Sequence, residues 1–119
     1  MSVLVTAHGF DAPPQALEVP EDAEAAAVDL SPLALAVRFP SFADGRGLSL
    51  ARRLRRRGYA GRLIARGPLL PDQLSDLLDS GFDGVEVDEN HLARTTREAW
   101  RADLARAVPP WRRRTLSVA

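Results

Sequence analysis

The fold of this chain is decided by residues 33–66, which read LALAVRF-PSFADGRG-LSLARRLRRR-GYAG-RLIAR. Every second residue from 33 to 39 is a large hydrophobic residue, which is the period of a β-strand with one face in a core. Residues 48–57 place leucine and alanine on one side and five arginines on the other, which predicts an amphipathic helix. Residues 62–66 predict a second strand. The stretch is therefore a βαβ unit with parallel strands.

The rest of the chain extends this βα pattern in both directions. We predict further strands over residues 2–6, 16–19 and 84–87, and further helices over residues 21–29, 72–80 and 91–108. The order predicts an α/β fold of repeated βα units, with a mainly parallel sheet that is open or half-barrel-like and helices packed on it. Pro109-Pro110 ends the last helix, so we expect one domain over residues 1–110 and a C-terminal tail over 111–119.

Two residue types are missing from the 119 residues, cysteine and lysine. Disulfides, cysteine-bound zinc or iron–sulfur clusters, thiol nucleophiles and Schiff-base lysines are therefore excluded on this chain. The formal net charge is zero, which argues against binding nucleic acid through bulk charge. The first ten residues lack the basic flank and apolar run of a secretory signal. No segment reaches the ~18 apolar residues of a membrane span. We expect a cytoplasmic protein.

The zero net charge hides four blocks of alternating sign. Residues 1–37 carry six acids and no base, and residues 38–66 carry nine bases and one acid. Residues 67–89 carry seven acids and no base, and residues 90–119 carry seven bases and two acids. Adjacent blocks can pair across neighbouring surfaces of one fold, or a block can form a charged face for a protein partner or an anion.

The loop between the strand at 33–39 and the helix at 48–57 contains the strongest candidate site, Asp44-Gly45-Arg46-Gly47. Loops that follow parallel strands meet at the carboxyl edge of the sheet, where such sheets bind ligands. The two glycines, Arg46 and the helix N-terminus together suit a small oxyanion such as sulfite, sulfate or phosphate. The alternative is that Asp44 caps the helix and the glycines only form the turn.

Other residues at this edge extend the candidate site. Arg66 ends the strand at 62–66, and Asp72 and Gln73 follow the next loop, so we expect all three beside the Asp44–Gly47 loop. Asp88 also follows a strand and is expected near Arg46 and Arg66, where it either binds a ligand or caps the next helix.

Neither a cofactor nor a metal site is evident in the sequence. The Gly45-x-Gly47 pair is followed by Leu50, so the dinucleotide pattern G-x-G-x-x-G is broken and NADPH binding is a minority alternative. His8 and His91 are too far apart in sequence to make a metal motif. No catalytic residue can be named from these patterns.

Several short stretches resemble a bacterial domain-of-unknown-function family, number 934. They are Phe39-Pro40, Phe42-x-Asp44-Gly45-Arg46-Gly47, Ser49-x-Ala51-Arg52, Gly58-Tyr59, Gly61-x-Leu63, Asp72-Gln73-Leu74 and Gly81-Phe82-Asp83. Members are labelled as oxidoreductases involved in sulfite reduction, largely because their genes neighbour assimilatory sulfite reductase. The chain departs from the family pattern at Pro68 and Pro71, and Ser80 replaces a frequent cysteine.

The resemblance implies an accessory role in assimilatory sulfite reduction, with sulfite reductase or its electron donor as a partner. Reduction of sulfite to sulfide takes six electrons and calls for haem and iron–sulfur centres, for which this chain has no cysteine ligand. The expected function is therefore to bind a small anion or the reductase at the carboxyl edge. A small NADPH-dependent or other oxidoreductase and a structural or regulatory dimer remain the alternatives. We expect a homodimer that buries part of residues 91–119, with Trp100 and Trp111 as its apolar anchors.

Overall fold

The protein is described by a computed structural model that covers residues 2–40 and 45–107. Its strands are β1 (Ser2–Thr6), β2 (Gly9–Asp11), β3 (Leu17–Pro20), β4 (Ala34–Arg38), β5 (Arg62–Arg66) and β6 (Gly84–Asp88). Its α-helices are α1 (Arg46–Arg56), α2 (Leu74–Asp79), α3 (Glu89–Thr95) and α4 (Arg97–Ala107). Two 3₁₀ turns lie at Ala25–Ala27 and Pro71–Gln73.

All six strands form one mixed sheet in the order β2-β1-β6-β5-β4-β3. Strands β3 to β6 are parallel, whereas β1 runs antiparallel to both β6 and β2. The α/β class and the mainly parallel sheet are confirmed. The expected five strands are in fact six, because β2 has three residues and is too short to show an alternating pattern. Uninterrupted βα repetition and half-barrel curvature are not confirmed.

One face of the sheet carries the helices. The parallel strands β3 to β6 are consecutive both in the chain and in the sheet. Because crossovers between parallel strands are right-handed, every connecting segment lies on the same side of the sheet. The side chains that β4, β5 and β6 turn to this side are Leu35, Val37, Leu63, Ala65, Val85 and Val87, each buried to 1% exposure or less. Trp100 of α4, expected to be an apolar anchor of a dimer, is instead fully buried in this core and is not exposed to a partner.

The opposite face of the sheet is covered by a strap rather than by helices. Strands β2 and β3 lie at opposite edges of the sheet, so residues 12–16 between them must cross it. Ala16 packs there against Leu4, Ala36 and Ile64, which are buried to 1% exposure or less. The sheet is therefore covered by helices on one face and by the strap on the other. The expected domain boundary between residues 110 and 111 lies outside the described residues.

Three predicted helices differ from the structure, two of them in residues 21–29 and 72–80. Residues 21–29 form only the 3₁₀ turn Ala25–Ala27, because a nine-residue segment gains too little from propensity to form a helix unaided. Arg57 instead holds this turn by donating from Nη1 to the carbonyls of Ala25 (2.6 Å) and Val28 (2.9 Å). The predicted helix over 72–80 begins as the 3₁₀ turn Pro71–Gln73 and continues as α2.

The predicted helix over residues 91–108 is divided into α3 and α4 at Thr96. Thr96 has φ 63° and ψ 142°, which ends α3, and its Oγ1 accepts from the Ala99 N–H (3.2 Å) to begin α4. The hydroxyl of Thr95 donates to the His91 carbonyl and accepts from Trp100 Nε1, both at 2.8 Å. Local hydrogen bonds from threonine side chains thus replace the helical backbone bonds at this point.

Arg55 ties together the amino edge of the sheet, although the sequence pattern places it on the exposed face of the helix. Its Nε and Nη2 donate to the Gly81 carbonyl (2.9 and 2.8 Å), and its Nη1 donates to the carbonyls of Tyr59 (2.9 Å) and Gly61 (2.8 Å). Nη2 also donates to Asp83 Oδ2 (2.9 Å). The guanidinium thus connects the loop before β5 to the loop before β6.

Candidate functional site

The carboxyl ends of the four parallel strands meet at one edge of the sheet, as the predicted topology requires. Pro20, Arg38, Arg66 and Asp88 are the last residues of β3, β4, β5 and β6, and Ser2 of the antiparallel β1 lies opposite Asp88. Arg38 and Arg66 are direct partners in the β4–β5 register. Two arginines therefore stand side by side where neighbouring strands end.

These residues line a cleft of about 250 Å³, which we call the edge cleft. Its lining residues are Ser2, Arg38, Arg66, Gly67, Pro68, Glu86, Asp88, His91 and Arg94. Pockets that hold drug-sized ligands have volumes of ~300–1,000 Å³, so the edge cleft suits a smaller molecule or ion. The expected meeting of Arg66 and Asp88 is present in this cleft.

Arg66 lies between two carboxylates, one on the adjacent strand β6 and one on β3, which lies beyond β4. Its Nη1 donates to Glu18 Oε1 and its Nη2 to Glu86 Oε1, both at 3.0 Å. Burial alone would lower the pKa of Arg66, but the hydrogen bonds to Glu86 and Glu18 outweigh burial and raise the pKa above its ordinary value. The Nε–H is buried and meets no acceptor among the described residues. Arg66 is therefore a permanent cation held rigidly by its partners.

Arg38 and Arg94 supply positive charge that the protein compensates weakly. Arg38 reaches Glu18 only at 3.9 Å, with 58% of its side chain exposed. Arg94 of α3 makes no hydrogen bond or ion pair with any residue in the described part of the chain. These two arginines belong to different elements and line the same cleft, so their charges are available to a bound anion.

The carboxylates and the imidazole of the edge cleft are already engaged. Asp88 is the N-cap of α3, where its Oδ1 accepts from the His91 N–H (2.7 Å), which confirms the capping alternative for this residue. His91 Nε2 lies 2.5 Å from the Leu69 carbonyl oxygen, and because that oxygen only accepts, Nε2 carries the hydrogen. The two carboxylates lining the cleft, Glu86 and Asp88, are thus both hydrogen-bonded.

The described part of the loop, Gly45, Arg46 and Gly47, does not line the edge cleft with Arg66, contrary to the expectation of one combined site. Asp44 lies outside the described residues. Arg46 begins α1 and lines a neighbouring cleft of about 390 Å³ with Glu18, Pro20, Glu21, Asp22, Arg38 and Pro40. Three carboxylates line that cleft against two arginines, Arg38 and Arg46, which makes it a poor site for an anion. Arg38 lies between the two clefts and lines both.

The glycines of the loop are explained by packing and by the turn. Gly45 has φ 71° immediately before α1, a left-handed conformation that glycine adopts without strain. A Cβ atom on Gly47 would overlap the ring of Phe39, which is buried and packs edge-on against Phe82 at 5.7 Å. Gly67 is held equally closely, since a Cβ there would overlap the Phe39 carbonyl. The glycine spacing therefore needs no bound phosphate to account for it.

Asp72 and Gln73 do not line the edge cleft. Both lie on the 3₁₀ turn Pro71–Gln73, which packs against α4 in the helix layer. Gln73 Oε1 accepts from the Leu70 N–H (2.8 Å) and so caps this turn. The loop over residues 67–70 carries the chain away from the edge, which separates this pair from Arg66.

Four polar residues that line the edge cleft were not predicted as site residues: Arg38, Arg94, Ser2 and Glu86. Arg38 could have been found from the sequence, since it ends a strand whose parallel neighbour also ends in arginine. The contribution of Arg94 depends on the angle at which α3 leaves β6, and no pattern in the sequence gives that angle. Within residues 2–40 and 45–107 no group of three His, Cys, Asp or Glu side chains is arranged to hold a metal ion.

The fold and the edge cleft define an α/β protein with a small polar cleft at the carboxyl edge of a mixed sheet. A family model described as bacterial protein of unknown function (DUF934) matches residues 15–107, which is most of the chain, and the chain belongs to this family. No curated protein and no solved structure matches it. In the described residues no helix has the length and apolar character needed to cross a bilayer.

Proposed function

We propose that the protein binds a small oxyanion, such as sulfite or sulfate, in the edge cleft and acts as an accessory binding protein of sulfur metabolism. The observation that carries the proposal is the pair Arg38 and Arg94, two arginines on different elements that line one cleft and are weakly compensated. The class of anion comes from the resemblance to a family labelled for sulfite reduction, and the volume of about 250 Å³ favours an ion of that size.

The chemistry of the cleft suits an oxyanion better than an uncharged ligand. Arginine presents a planar fork of N–H donors that matches pairs of oxygens on sulfite, sulfate or phosphate. Arg66 adds a third positive charge to the cleft, fixed by Glu18 and Glu86. The hydroxyl of Ser2, which also lines the cleft, is a further donor. The nearby carboxylates weaken the attraction, so we expect affinity in the millimolar to high-micromolar range rather than tight binding.

Calorimetric titration tests this proposal directly. Sulfite, sulfate and phosphate would be titrated into the wild-type protein, with chloride as the reference anion. A charge-assisted hydrogen bond contributes ~1.5–3 kcal/mol, so Arg38→Ala and Arg94→Ala should each weaken binding by about ten- to a hundredfold. Arg62→Ala is the matched control, since Arg62 is an exposed arginine at the opposite edge of the sheet.

Two outcomes would reject the edge cleft as an anion site. One is the absence of measurable heat or thermal stabilisation at 10 mM of any of the three oxyanions. The other is binding that Arg38→Ala and Arg94→Ala leave unchanged but Arg46→Ala removes, because this result would return the site to the Asp44–Gly47 loop.

The role in sulfur metabolism needs a separate experiment in cells. A strain without the gene should grow normally on cysteine and slowly on sulfate as the sulfur source. Complementation with the wild-type gene should restore growth, and complementation with the Arg38→Ala/Arg94→Ala variant should not. Equal growth of the deletion strain on both sources would contradict the role while leaving the binding measurement to stand by itself.

A further inference from the structure

The outer surface of the helix layer carries two adjacent stripes of opposite charge. On α1 the buried side is formed by Leu50, Ala51 and Leu54, and the outward side carries three exposed arginines, Arg52, Arg53 and Arg56. On α2 and the 3₁₀ turn before it, the exposed side carries Asp72 and Asp76. Both helices lie on the same face of the sheet, and their C-terminal ends meet where Arg55 contacts Gly81.

None of these five charged side chains has a partner within the described part of the molecule. No hydrogen bond, ion pair or ring contact is made there by the side chains of Arg52, Arg53, Arg56, Asp72 and Asp76. This distinguishes them from Arg55 and Arg57 of the same segment, which are bound to backbone carbonyls. The two stripes are therefore not used to hold this fold together.

The arrangement is unfavourable for an isolated chain. Arg52 and Arg56 are four residues apart and Arg53 and Arg56 are three apart, so like charges are neighbours along the helix. The first turn of α1 contains no acidic residue that would suit the helix dipole. Opposite charges on a partner would relieve this repulsion.

A second copy of the chain, related to the first by a two-fold axis, can supply the opposite charges for both stripes. In such an isologous contact each surface patch meets the same patch of the partner, so α1 of one protomer can face α2 of the other, twice. Basic and acidic stripes that lie side by side on one protomer then become opposed across the axis. The net charge of zero removes long-range repulsion between the copies.

We propose that the protein forms a symmetric, salt-sensitive homodimer through this surface, with the arginines of α1 facing Asp72 and Asp76 of the partner. This assigns the expected dimer to α1, α2 and the 3₁₀ turn before α2, and not to residues 91–119. The inference is independent of the edge cleft, which lies at the carboxyl edge of the sheet. Sedimentation velocity from 5 to 200 µM protein in 50 mM NaCl should show the dimer. Because salt screens exposed charges, its dissociation constant should rise by about tenfold or more in 500 mM NaCl.

A charge-exchange experiment identifies the partner. The Arg52→Glu/Arg56→Glu variant makes the surface mainly acidic, with Arg53 as its remaining arginine, and the Asp72→Arg/Asp76→Arg variant makes it basic. Each variant alone should be monomeric, because both contacts of the dimer become repulsive. An equimolar mixture should form a heterodimer, because acidic α1 then faces basic α2 and basic α1 faces acidic α2. The control Arg62→Glu/Arg106→Glu changes the net charge as much as the Arg52→Glu/Arg56→Glu variant does, away from this surface, and should stay dimeric.

Circular dichroism before each run establishes that the variants are folded, and the mixture provides a second check, since an unfolded variant cannot restore a dimer. A wild-type monomer at 200 µM in 50 mM NaCl would overturn the inference. So would dimers that persist in either charge-reversed variant, or a mixture of the two that stays monomeric; the last result would show that the stripes do not recognise each other.

Discussion

Truncation of Arg55 to alanine is expected to destabilise the protein more than truncation of any neighbouring arginine on α1. The side chain uses its N–H donors on the carbonyls of Tyr59, Gly61 and Gly81 and on the carboxylate of Asp83, at distances from 2.8 to 2.9 Å. Its removal leaves three carbonyls of two loops without these donors and leaves Asp83 without its cation. The loops before β5 and β6 then lose their common attachment to the helix layer.

The magnitude follows from the number and the burial of these contacts. A hydrogen bond to a charged group contributes ~1.5–3 kcal/mol, but Arg55 is 26% exposed and Asp83 is 45% exposed, so water replaces part of the loss. We expect the free energy of unfolding to fall by about 3–4 kcal/mol for Arg55→Ala, within the range for breaking a partly buried charged network. Arg55→Lys should fall by roughly half as much, because an ammonium cannot reach all of these acceptors.

Urea denaturation followed by circular dichroism measures both values. The matched control is Arg53→Ala, two residues earlier on the same helix, exposed and without a partner in the described residues. It should change the free energy of unfolding by less than ~0.5 kcal/mol. The measurements belong in 0.5 M NaCl at 5 µM protein, where pairing between copies is screened. Equal losses for Arg55→Ala and Arg53→Ala would refute the assignment of Arg55 as the link at the amino edge.

Two further predictions concern Tyr59 and Gly47. Burial raises the pKa of Tyr59. Since Tyr59 is the sole tyrosine of the chain, absorbance at 295 nm reports its ionisation alone. We expect it to ionise above ~10 in the folded state and near ~10 in urea. Because the folded state holds this proton more tightly, the free energy of unfolding should fall as the pH rises from ~10 towards the folded pKa. Tyr59→Phe should remove this pH dependence. A folded pKa at or below ~10 would contradict the assignment. Gly47→Ala should lower the free energy of unfolding by ~1–3 kcal/mol in urea denaturation, because the new Cβ atom overlaps Phe39. Phe39→Leu/Gly47→Ala should recover part of this loss. A Gly47→Ala variant as stable as the wild type would contradict the packing explanation.

The central βα unit could be predicted from the sequence because its patterns are strict and complete. The strand predicted over residues 62–66 matches β5, and the helix predicted over 48–57 differs from α1 by two residues at its start and one at its end. Strand β2 could not be predicted in the same way, since its three residues gain their pairing from β1 and show no period of their own. The division of the last helix at Thr96 depends on side-chain hydrogen bonds that residue order alone does not specify.

The sequence predicted a candidate site at the carboxyl edge of the sheet. The edge cleft found there is lined by Arg66 but by none of Gly45, Arg46, Gly47, Asp72 and Gln73. Parallel topology places every loop after a strand at the carboxyl edge, and this part of the reasoning needs only the order of elements. Which arginines share a cleft depends on which face of the sheet each one occupies. Val37 and Ala65 point into the helix layer, so the adjacent Arg38 and Arg66 lie on the other face, whereas Arg46 starts a helix and meets the acids after β3.

The short stretches that carry the family resemblance serve mainly to hold the fold together. Gly58-Tyr59, Gly61-x-Leu63 and Gly81-Phe82-Asp83 gather around Arg55 at the amino edge, where they bind one guanidinium and fix the loops. Gly47 and Gly67 enclose Phe39, so glycines near the carboxyl edge also serve packing. Arg38 and Arg94, which carry the proposed binding, stand outside these stretches. A chain can therefore keep every such stretch, and with it the fold, while a change at Arg38 or Arg94 alters what the edge cleft binds.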